Sequence, residues 1–204
     1  MPKLLFSRTM IVALLAGLFL TTGPKIAWAK NRLGIEYYLL AMDDPDMRRL
    51  LDNPKIQHII LDGSFSITQG LELKVHAGWG QVRISNAEMG SLGAGDYGIT
   101  NMPAEVGLRF NLYDGEIVMP YLAAGPGAYF MQFRNTNLPD SQENQENLVG
   151  FGGWLNGGLD LRFGTNLGLT AQIHYVVAQA EIKSLHQKVG VGGPGFRAGV
   201  LFFF

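Results

Sequence analysis

The sequence predicts an all-β fold, an eight-stranded antiparallel up-and-down β-barrel that crosses a membrane once a signal peptide has been cleaved. Apolar and polar residues alternate with period two in segments of about ten residues. The number of these segments is even, and short and long connections alternate between them. Because no window after residue 29 is apolar over 18 residues, we expect strands to cross the membrane.

The N-terminal segment has the pattern of a secretory signal peptide. Lys3 and Arg8 give it a basic start, the apolar run MIVALLAGLFL follows, and AWA at 27–29 is a small-residue cleavage site. The alternative, a membrane anchor, is disfavoured because the run is too short to span a bilayer. We therefore expect a signal peptide over residues 1–29 and a barrel domain over residues 30–204.

The first four predicted strands each have one apolar face and one face of polar residues and glycine. In the first, Ile35 and Tyr37 alternate with Gly34 and Glu36. This parity is typical of a sheet with two different environments on its two sides. The four strands are residues 31–42, 58–67 (with IILDGSFSI), 71–84 (LELKVHAGW) and 103–112 (AEVGLRFNL).

The last four predicted strands follow the same rule with one exception. The fifth does not show which face is which, and Pro120 and Pro126 would weaken a central ladder there. In the eighth, Leu201 and Phe203 interrupt the polar side. The four strands are residues 117–132, 150–163 (with GLDLRF), 167–179 (LGLTAQIHYVV) and 194–204 (GFRAGVLFFF).

The connections between the strands indicate the up-and-down topology. Tight connections occupy 68–70, 113–116 and 164–166, and long polar ones occupy 43–57, 85–102, 133–149 and 180–193. Short turns at one end and long loops at the other are typical of a membrane barrel. With the N-terminus in the periplasm, the turns are periplasmic and the long loops lie outside the cell.

A membrane barrel turns its apolar face outward, whereas a soluble, lipocalin-like barrel turns it inward. Eight strands enclose a lumen just wide enough for side chains, so the large apolar residues of one face would be difficult to pack inside. We therefore expect lipid on the apolar side and a nearly balanced ion network in the lumen, since a buried charge is costly unless it is paired. The expected network is Glu36, Asp62, Glu72, Lys74, Glu105, Arg109, Asp160, Arg162 and Arg197.

At this point the chain resembles the small eight-stranded outer-membrane barrels of Gram-negative bacteria, the OmpA, OmpX and OmpW class. The resemblance rests on the signal peptide, on MPYLAAGPGAYF at 119–130, on GGLDLRF at 157–163 and on the last strand. It implies a location in the cell outer membrane, surrounded by lipid and lipopolysaccharide. It also implies periplasmic chaperones and the barrel-assembly machinery as partners during biogenesis, with an assembly signal formed by Val200, Phe202 and Phe204.

The sequence offers little for catalysis or for cofactors. Some related barrels are lipid A deacylases with a serine two residues after a histidine, but here Val176 follows His174 at that distance. The four histidines have no metal-ligand spacing, there is no cysteine, and the net charge of −1 does not favour nucleic acid. We expect no enzyme, no metal and no cofactor.

The predicted function is that of a monomeric barrel with a plugged polar lumen, whose role is structural or lies in what its surface loops bind. One alternative is an OmpW-like channel for small hydrophobic molecules, which would need a lateral opening. Another is an enzyme that modifies lipid A, which the residue two places after His174 disfavours. The ligands of the loops do not follow from the sequence.

Overall fold

A computed structural model describes residues 31–43, 45, 55–88, 94–113, 115–135, 145–182 and 187–204. The predicted signal peptide therefore lies outside the described residues. No helix in the described part is long and apolar enough to cross a membrane. The strands of this part are β1 (Arg32–Ala41), β2 (Lys55–Thr68), β3 (Leu71–Glu88), β4 (Ala94–Asn111), β5 (Val118–Asn135), β6 (Gln145–Phe163), β7 (Leu167–Ile182), β8 (Gln187–Gly190) and β9 (Gly193–Phe203).

The strands form one closed antiparallel sheet. Each of the first seven pairs with the next along the chain, and β9 pairs with both β7 and β1, which closes the ring. β8 pairs with the last residues of β7 and β9 pairs with the rest of it, so the two strands together form the eighth strand of the barrel. The predicted eight-stranded up-and-down barrel is confirmed.

The tight turns lie at one end of the barrel, here called the turn end, and the opposite end is called the loop end. Gly70 and Gly164 occupy turns with φ of 79° and 71°, a region that residues with a Cβ rarely adopt. Asn111 donates its backbone N–H to the carbonyl of Gly70 at 2.9 Å, which ties two neighbouring turns together. The predicted short connections are therefore present between β2 and β3 and between β6 and β7.

Several strands extend further toward the loop end than predicted. β4 begins at Ala94 where a strand is predicted only from residue 103, and β6 begins at Gln145 where one is predicted from residue 150. The predicted eighth strand likewise has an additional part, β8, before its expected start. The long loops are correspondingly shorter, because residues that look like polar loop in the sequence continue the ladder with polar side chains on the outside.

Side-chain exposure follows the predicted parity in the middle of the barrel. Ile35 is 57% exposed while its neighbour Glu36 is 0% exposed, and Trp79 and Tyr175 also face outward. The structure also shows which face of the fifth predicted strand is the inner one, because Tyr121 on that strand faces the lumen. The outer face is therefore an apolar band, as expected for a surface that meets lipid.

Toward the loop end the outer face becomes polar and the inner face becomes apolar. Inward and outward residues still alternate in the same order. On β7, Ile173 and Val177 face outward below, and Gln179 faces outward above them. On the inner side, His174 is followed by Val176 and then by small apolar residues. The upper barrel is therefore polar outside and apolar inside, the arrangement of a soluble barrel.

Candidate functional site: a charged network and an apolar plug in the lumen

The part of the lumen nearest the turn end holds two arginines and two carboxylates. Arg32 bonds Glu72 and places its Nη1 2.7 Å from Oδ2 of Asp160. Arg109 places its Nη2 2.8 Å from the same Asp160 oxygen and its Nε 3.4 Å from Glu72. The guanidinium of Arg109 also stacks 3.5 Å from the centroid of the Tyr121 ring. These contacts join β1, β3, β4 and β6 across the lumen.

Glu105 is the centre of the next layer. Arg197 donates through Nη2 to Oε2 of Glu105 at 2.9 Å, and the hydroxyl of Tyr129 donates to Oε1 at 2.9 Å. Nδ1 of His76 lies 2.8 Å from Oε2, and Nε2 of His174 lies 3.1 Å from Oε1. Four side chains from four strands therefore converge on one carboxylate, which holds it in a single position.

Asp62 forms a second centre in the same layer. Its Oδ2 lies 2.7 Å from Nζ of Lys74 and 2.8 Å from Nε2 of His76. His76 thus bridges Asp62 and Glu105 with both ring nitrogens.

These side chains form one network of opposite charges. Its five carboxylates are opposed by four arginine and lysine side chains, and His76 contacts two of the carboxylates. Pairing matters here because each of these groups is nearly inaccessible to solvent and an unpaired buried ion costs several kcal/mol. The members are Arg32, Glu36, Asp62, Glu72, Lys74, His76, Glu105, Arg109, Asp160 and Arg197, which we call the ion network.

Two amide side chains extend this layer of the ion network. Gln172 donates its amide to Oε2 of Glu36 at 2.7 Å and accepts from Nδ2 of Asn156 at 2.7 Å. This chain of amides extends the ion network from β1 to β6.

Of the nine predicted network residues, eight take part in the ion network and Arg162 does not. Arg162 lies beside the tight turn after β6, where its Nε donates to the carbonyl of Thr165 at 3.1 Å. Its guanidinium lies 5.0 Å from the centroid of the Phe203 ring. No ion pair of Arg162 is found within the described part of the chain, so its inclusion in the network is wrong. It sits on the lumenal face but too close to the end of the barrel to reach the carboxylates.

Sequence reasoning missed two members of the ion network. Arg32 precedes the first clearly alternating segment, although its parity with Gly34 and Glu36 puts it on the same face. His76 lies on the predicted polar face between charged residues, but a histidine is not counted as a charge from sequence. The alternation alone would have placed Arg32 in the lumen. The role of His76 depends on its two carboxylate neighbours, which only the structure brings to it.

Above the ion network the lumen is filled by apolar side chains. Trp154 lies at the boundary, with its ring centroid 5.7 Å from that of His174 and its Nε1 donating to the carbonyl of Pro126 at 3.0 Å. The residues above it are fully or almost fully buried. The prediction of a polar lumen therefore needs correction for this half, because these strands continue beyond the apolar band. The cluster, here called the apolar plug, includes Met42, Ile56, Tyr97, Ile99, Met131, Phe133, Leu148, Trp154, Val176, Ala178, Ala180, Val189 and Val191.

This architecture is shared with several solved structures. Neisserial surface protein A matches with a TM-score of 0.59 at 14% identity, over 87% of this chain and 100% of that one. The outer membrane protein OprG from Pseudomonas aeruginosa matches with a TM-score of 0.60 at 14% identity, over 86% and 96%. The chain has the fold of the small outer-membrane β-barrels.

A third structure of this fold is Ail, the attachment invasion locus protein of Yersinia pestis, solved with the heparin analogue sucrose octasulfate. It matches with a TM-score of 0.50 at 13% identity, over 86% of this chain and 97% of that one. No protein-family model and no curated protein matches the chain. At such low identities the likeness establishes the outer-membrane barrel fold and leaves function to the residues.

The residues of the expected assembly signal face outward at the end of the chain, on β9 and directly after it. Val200, Phe202 and Phe204 are 43%, 56% and 58% exposed. Phe202 is paired with Leu33 on β1 and with Leu167 on β7, so it lies at the seam where the ring closes. Their role in assembly stays a prediction.

His174 lies in the lumen of the barrel and is fully buried there. Its Nε2 contacts both Glu105 and Nη2 of Arg197, the latter at 2.8 Å. Val176, two residues later, is also buried and belongs to the apolar plug. The two positions at which a hydrolase dyad would be expected are therefore both buried inside the barrel.

Proposed function

We propose that the mature chain is an outer-membrane barrel with a closed lumen, acting in envelope structure and in surface interactions through its loop end. The observation that carries this proposal is the filling of the lumen. Paired ions occupy its lower part and the apolar plug its upper part. A solute would have to break buried ion pairs or displace packed side chains to pass.

In this proposal the turn end faces the periplasm and the loop end faces the cell exterior. The protein is exported with its signal peptide, escorted by periplasmic chaperones and inserted by the barrel-assembly machinery as a monomer. Lipopolysaccharide and lipid surround the apolar band, and ligands of unknown identity bind the loops. The band supports this arrangement because its residues are apolar on all the long strands.

A conductance measurement tests the closed lumen. We expect no single-channel currents from the protein in planar bilayers, because the ion network leaves no continuous aqueous path. A folded barrel should be verified beforehand by heat modifiability on a gel, so that silence reports closure and not failed insertion. Stepwise currents from the folded wild-type protein would contradict the proposal.

A second candidate is a passage for small hydrophobic molecules, and two observations favour it over other transport functions. The upper lumen is apolar, and the β3–β4 and β4–β5 ladders are both interrupted beside prolines, at Pro103 and Pro126. Proline has no N–H to donate, so the wall is weaker there. Uptake of a hydrophobic solute into vesicles that contain the protein, above protein-free vesicles, would favour this candidate over a closed barrel.

We also propose that the barrel has no catalytic activity, including no modification of lipid A. The contacts of His174 with Glu105 and Arg197 support this, since they keep its ring away from the outer surface. Mass spectrometry of lipid A from cells with and without the protein tests the point. A mass change that His174→Ala abolishes while leaving the barrel folded would revive an enzymatic role.

A further inference from the structure

A second, smaller apolar cluster lies in the lumen at the turn end. Its members are Met119 on β5 and Leu201 and Phe203 on β9, which are 1%, 1% and 3% exposed. Leu201 and Phe203 are the two residues that interrupt the polar side of the last predicted strand. The cluster borders the ion network, because Met119 is paired in register with Asp160 and Phe203 with Arg32. We call these three residues the terminal plug.

Glycines on the two strands beside β9 make room for its apolar side chains. A Cβ on Gly168 of β7 would lie 2.6 Å from Cε2 of Phe203, so the ring lies over that glycine. A Cβ on Gly34 of β1 would lie 2.6 Å from Cδ2 of Leu201. The two side chains therefore extend in opposite directions from β9 and cover the inner side of the seam where the barrel closes.

The tight turn between β6 and β7 holds the backbone of Phe203 in place. Phe203 donates its N–H to the carbonyl of Asn166 at 2.8 Å, and Nδ2 of Asn166 donates to the carbonyl of Phe203 at 3.1 Å. On the other side, Phe204 donates its N–H to the carbonyl of Asn31 at 3.0 Å. The end of β9 is thereby fixed to both of its neighbours.

Arg162 holds the ring of Phe203 from the same turn. Its Nε and its Nη2 both donate to the carbonyl of Thr165, the former at 3.1 Å, which fixes the guanidinium. The Cζ atom of Arg162 lies 5.0 Å from the centroid of the Phe203 ring, a distance at which an aromatic ring attracts a cation. Arg32 of the ion network lies 5.9 Å from the same centroid. Phe203 therefore contacts one cation of the turn and one of the network.

We propose that Phe203, positioned by Arg162, closes the lumen at the turn end and keeps water away from the ion network. Attraction between buried charges is strong only while water is excluded from them, because water lowers it through its high dielectric constant. The apolar plug excludes water at the loop end, and the terminal plug does so at the opposite end. This inference rests on the proposed function, since it assigns the residues that complete a closed lumen.

The chain has no cysteine, so single engineered cysteines can report where water reaches the lumen. Ser64 is 0% exposed, and Arg32 is paired in register with both Ser64 and Phe203, so Ser64→Cys is a nearly isosteric reporter close to the terminal plug. Ala180→Cys lies in the apolar plug and reports on the opposite end. A charged, water-soluble methanethiosulfonate reagent modifies either thiol only when water reaches it.

The experiment measures the rate of thiol modification in protein refolded into detergent micelles. In the otherwise wild-type chain we expect both reporters to be protected. Phe203→Ala should raise the rate at Ser64→Cys by about tenfold or more and leave the rate at Ala180→Cys unchanged, because a buried ring is lost at one end only. Phe202→Ala is the matched control, since it removes the same ring from the outer face of the same strand and should change neither rate.

Two substitutions of Arg162 test its positioning role. Arg162→Gln can still donate to the carbonyl of Thr165 but has no charge to attract the Phe203 ring, so we expect faster modification of Ser64→Cys. Arg162→Lys keeps a cation beside the ring and should restore protection. Equal rates in the two variants would contradict the role assigned to Arg162.

Three further outcomes would overturn the proposal. Phe203→Ala could leave Ser64→Cys protected, or Phe202→Ala could raise its rate as much as Phe203→Ala does. Both reporters could also react faster together in Phe203→Ala, which would indicate loosening of the whole barrel. Heat modifiability shows separately that each variant is folded. Rapid modification of Ser64→Cys in the otherwise wild-type chain would contradict the closed lumen itself, so failure of the proposed function is distinguished from failure of the terminal plug.

Discussion

At the residue scale, Glu105 is the position on which the interior depends most. Four side chains on four strands contact its carboxylate, and it is 3% exposed. Removing one member of a buried ion pair leaves the partner charged and unpaired, which costs more than the pair itself contributes. The partner left behind here is Arg197, which has no other carboxylate within bonding distance in the described structure.

We expect Glu105→Gln to lower the free energy of unfolding by about 3 to 5 kcal/mol, because the amide keeps the shape but removes the charge that neutralises Arg197. Glu181→Gln makes the same change on the outer surface and should cost no more than about 0.5 kcal/mol. Urea unfolding of both variants in lipid vesicles, followed by tryptophan fluorescence, makes the comparison. Equal midpoints for the two variants would show that the ion network does not hold the barrel together.

At the scale of a single strand, β6 shows why glycine is placed where it is. A Cβ on Gly152 would lie 2.0 Å from the carbonyl oxygen of Val177 and 2.7 Å from Cβ of Ala178, both on the neighbouring strand. On the adjacent Gly153 the nearest atom would be the carbonyl oxygen of Gly125, at 3.6 Å. Close approach of β6 and β7 therefore requires glycine at one of these positions and not at the other.

Gly152→Ala should destabilise the barrel by about 1 to 3 kcal/mol, since the backbone of β7 must move to admit the methyl group. Gly153→Ala is the matched control, and we expect its effect to be close to zero or slightly stabilising. Thermal or urea unfolding of the two variants checks the difference. A pair of variants with the same stability would mean that the two strands are further apart than the Cβ contacts indicate.

At the scale of the whole molecule, the same alternation of inward and outward residues continues through two zones whose polarity is opposite. Along β7 the outward face is apolar up to Val177 and polar from Gln179 onward, and the inward face changes in the opposite sense. The lower barrel is thus built for lipid outside and ions within, and the upper barrel for water outside and an apolar core within.

This arrangement predicts a dependence of arginine tolerance on height along a single strand face. Ile173→Arg places a charge in the middle of the apolar band and should cost about 2 to 4 kcal/mol in lipid vesicles, whereas Gln179→Arg lies above the band and should cost about 0 to 1 kcal/mol. Both positions are exposed on the same side of β7, so no lumenal contact is altered. If the two substitutions were equally tolerated in lipid, the band would not be in hydrocarbon.

The sequence predicted the class of fold, the parity of seven strands and most of the lumenal charges, because a period of two survives in any sheet whose faces meet different surroundings. It did not reveal the upper barrel. The strands there have polar residues outside and small apolar residues inside, and such segments read as polar loops when apolar residues are expected on the outer face. Nor did it separate Arg162 from the ion network or bring His76 into it. Those outcomes depend on height along the barrel axis and on which strands face one another across the lumen, and strand pairing and tilt, which set both, exist only in the closed barrel.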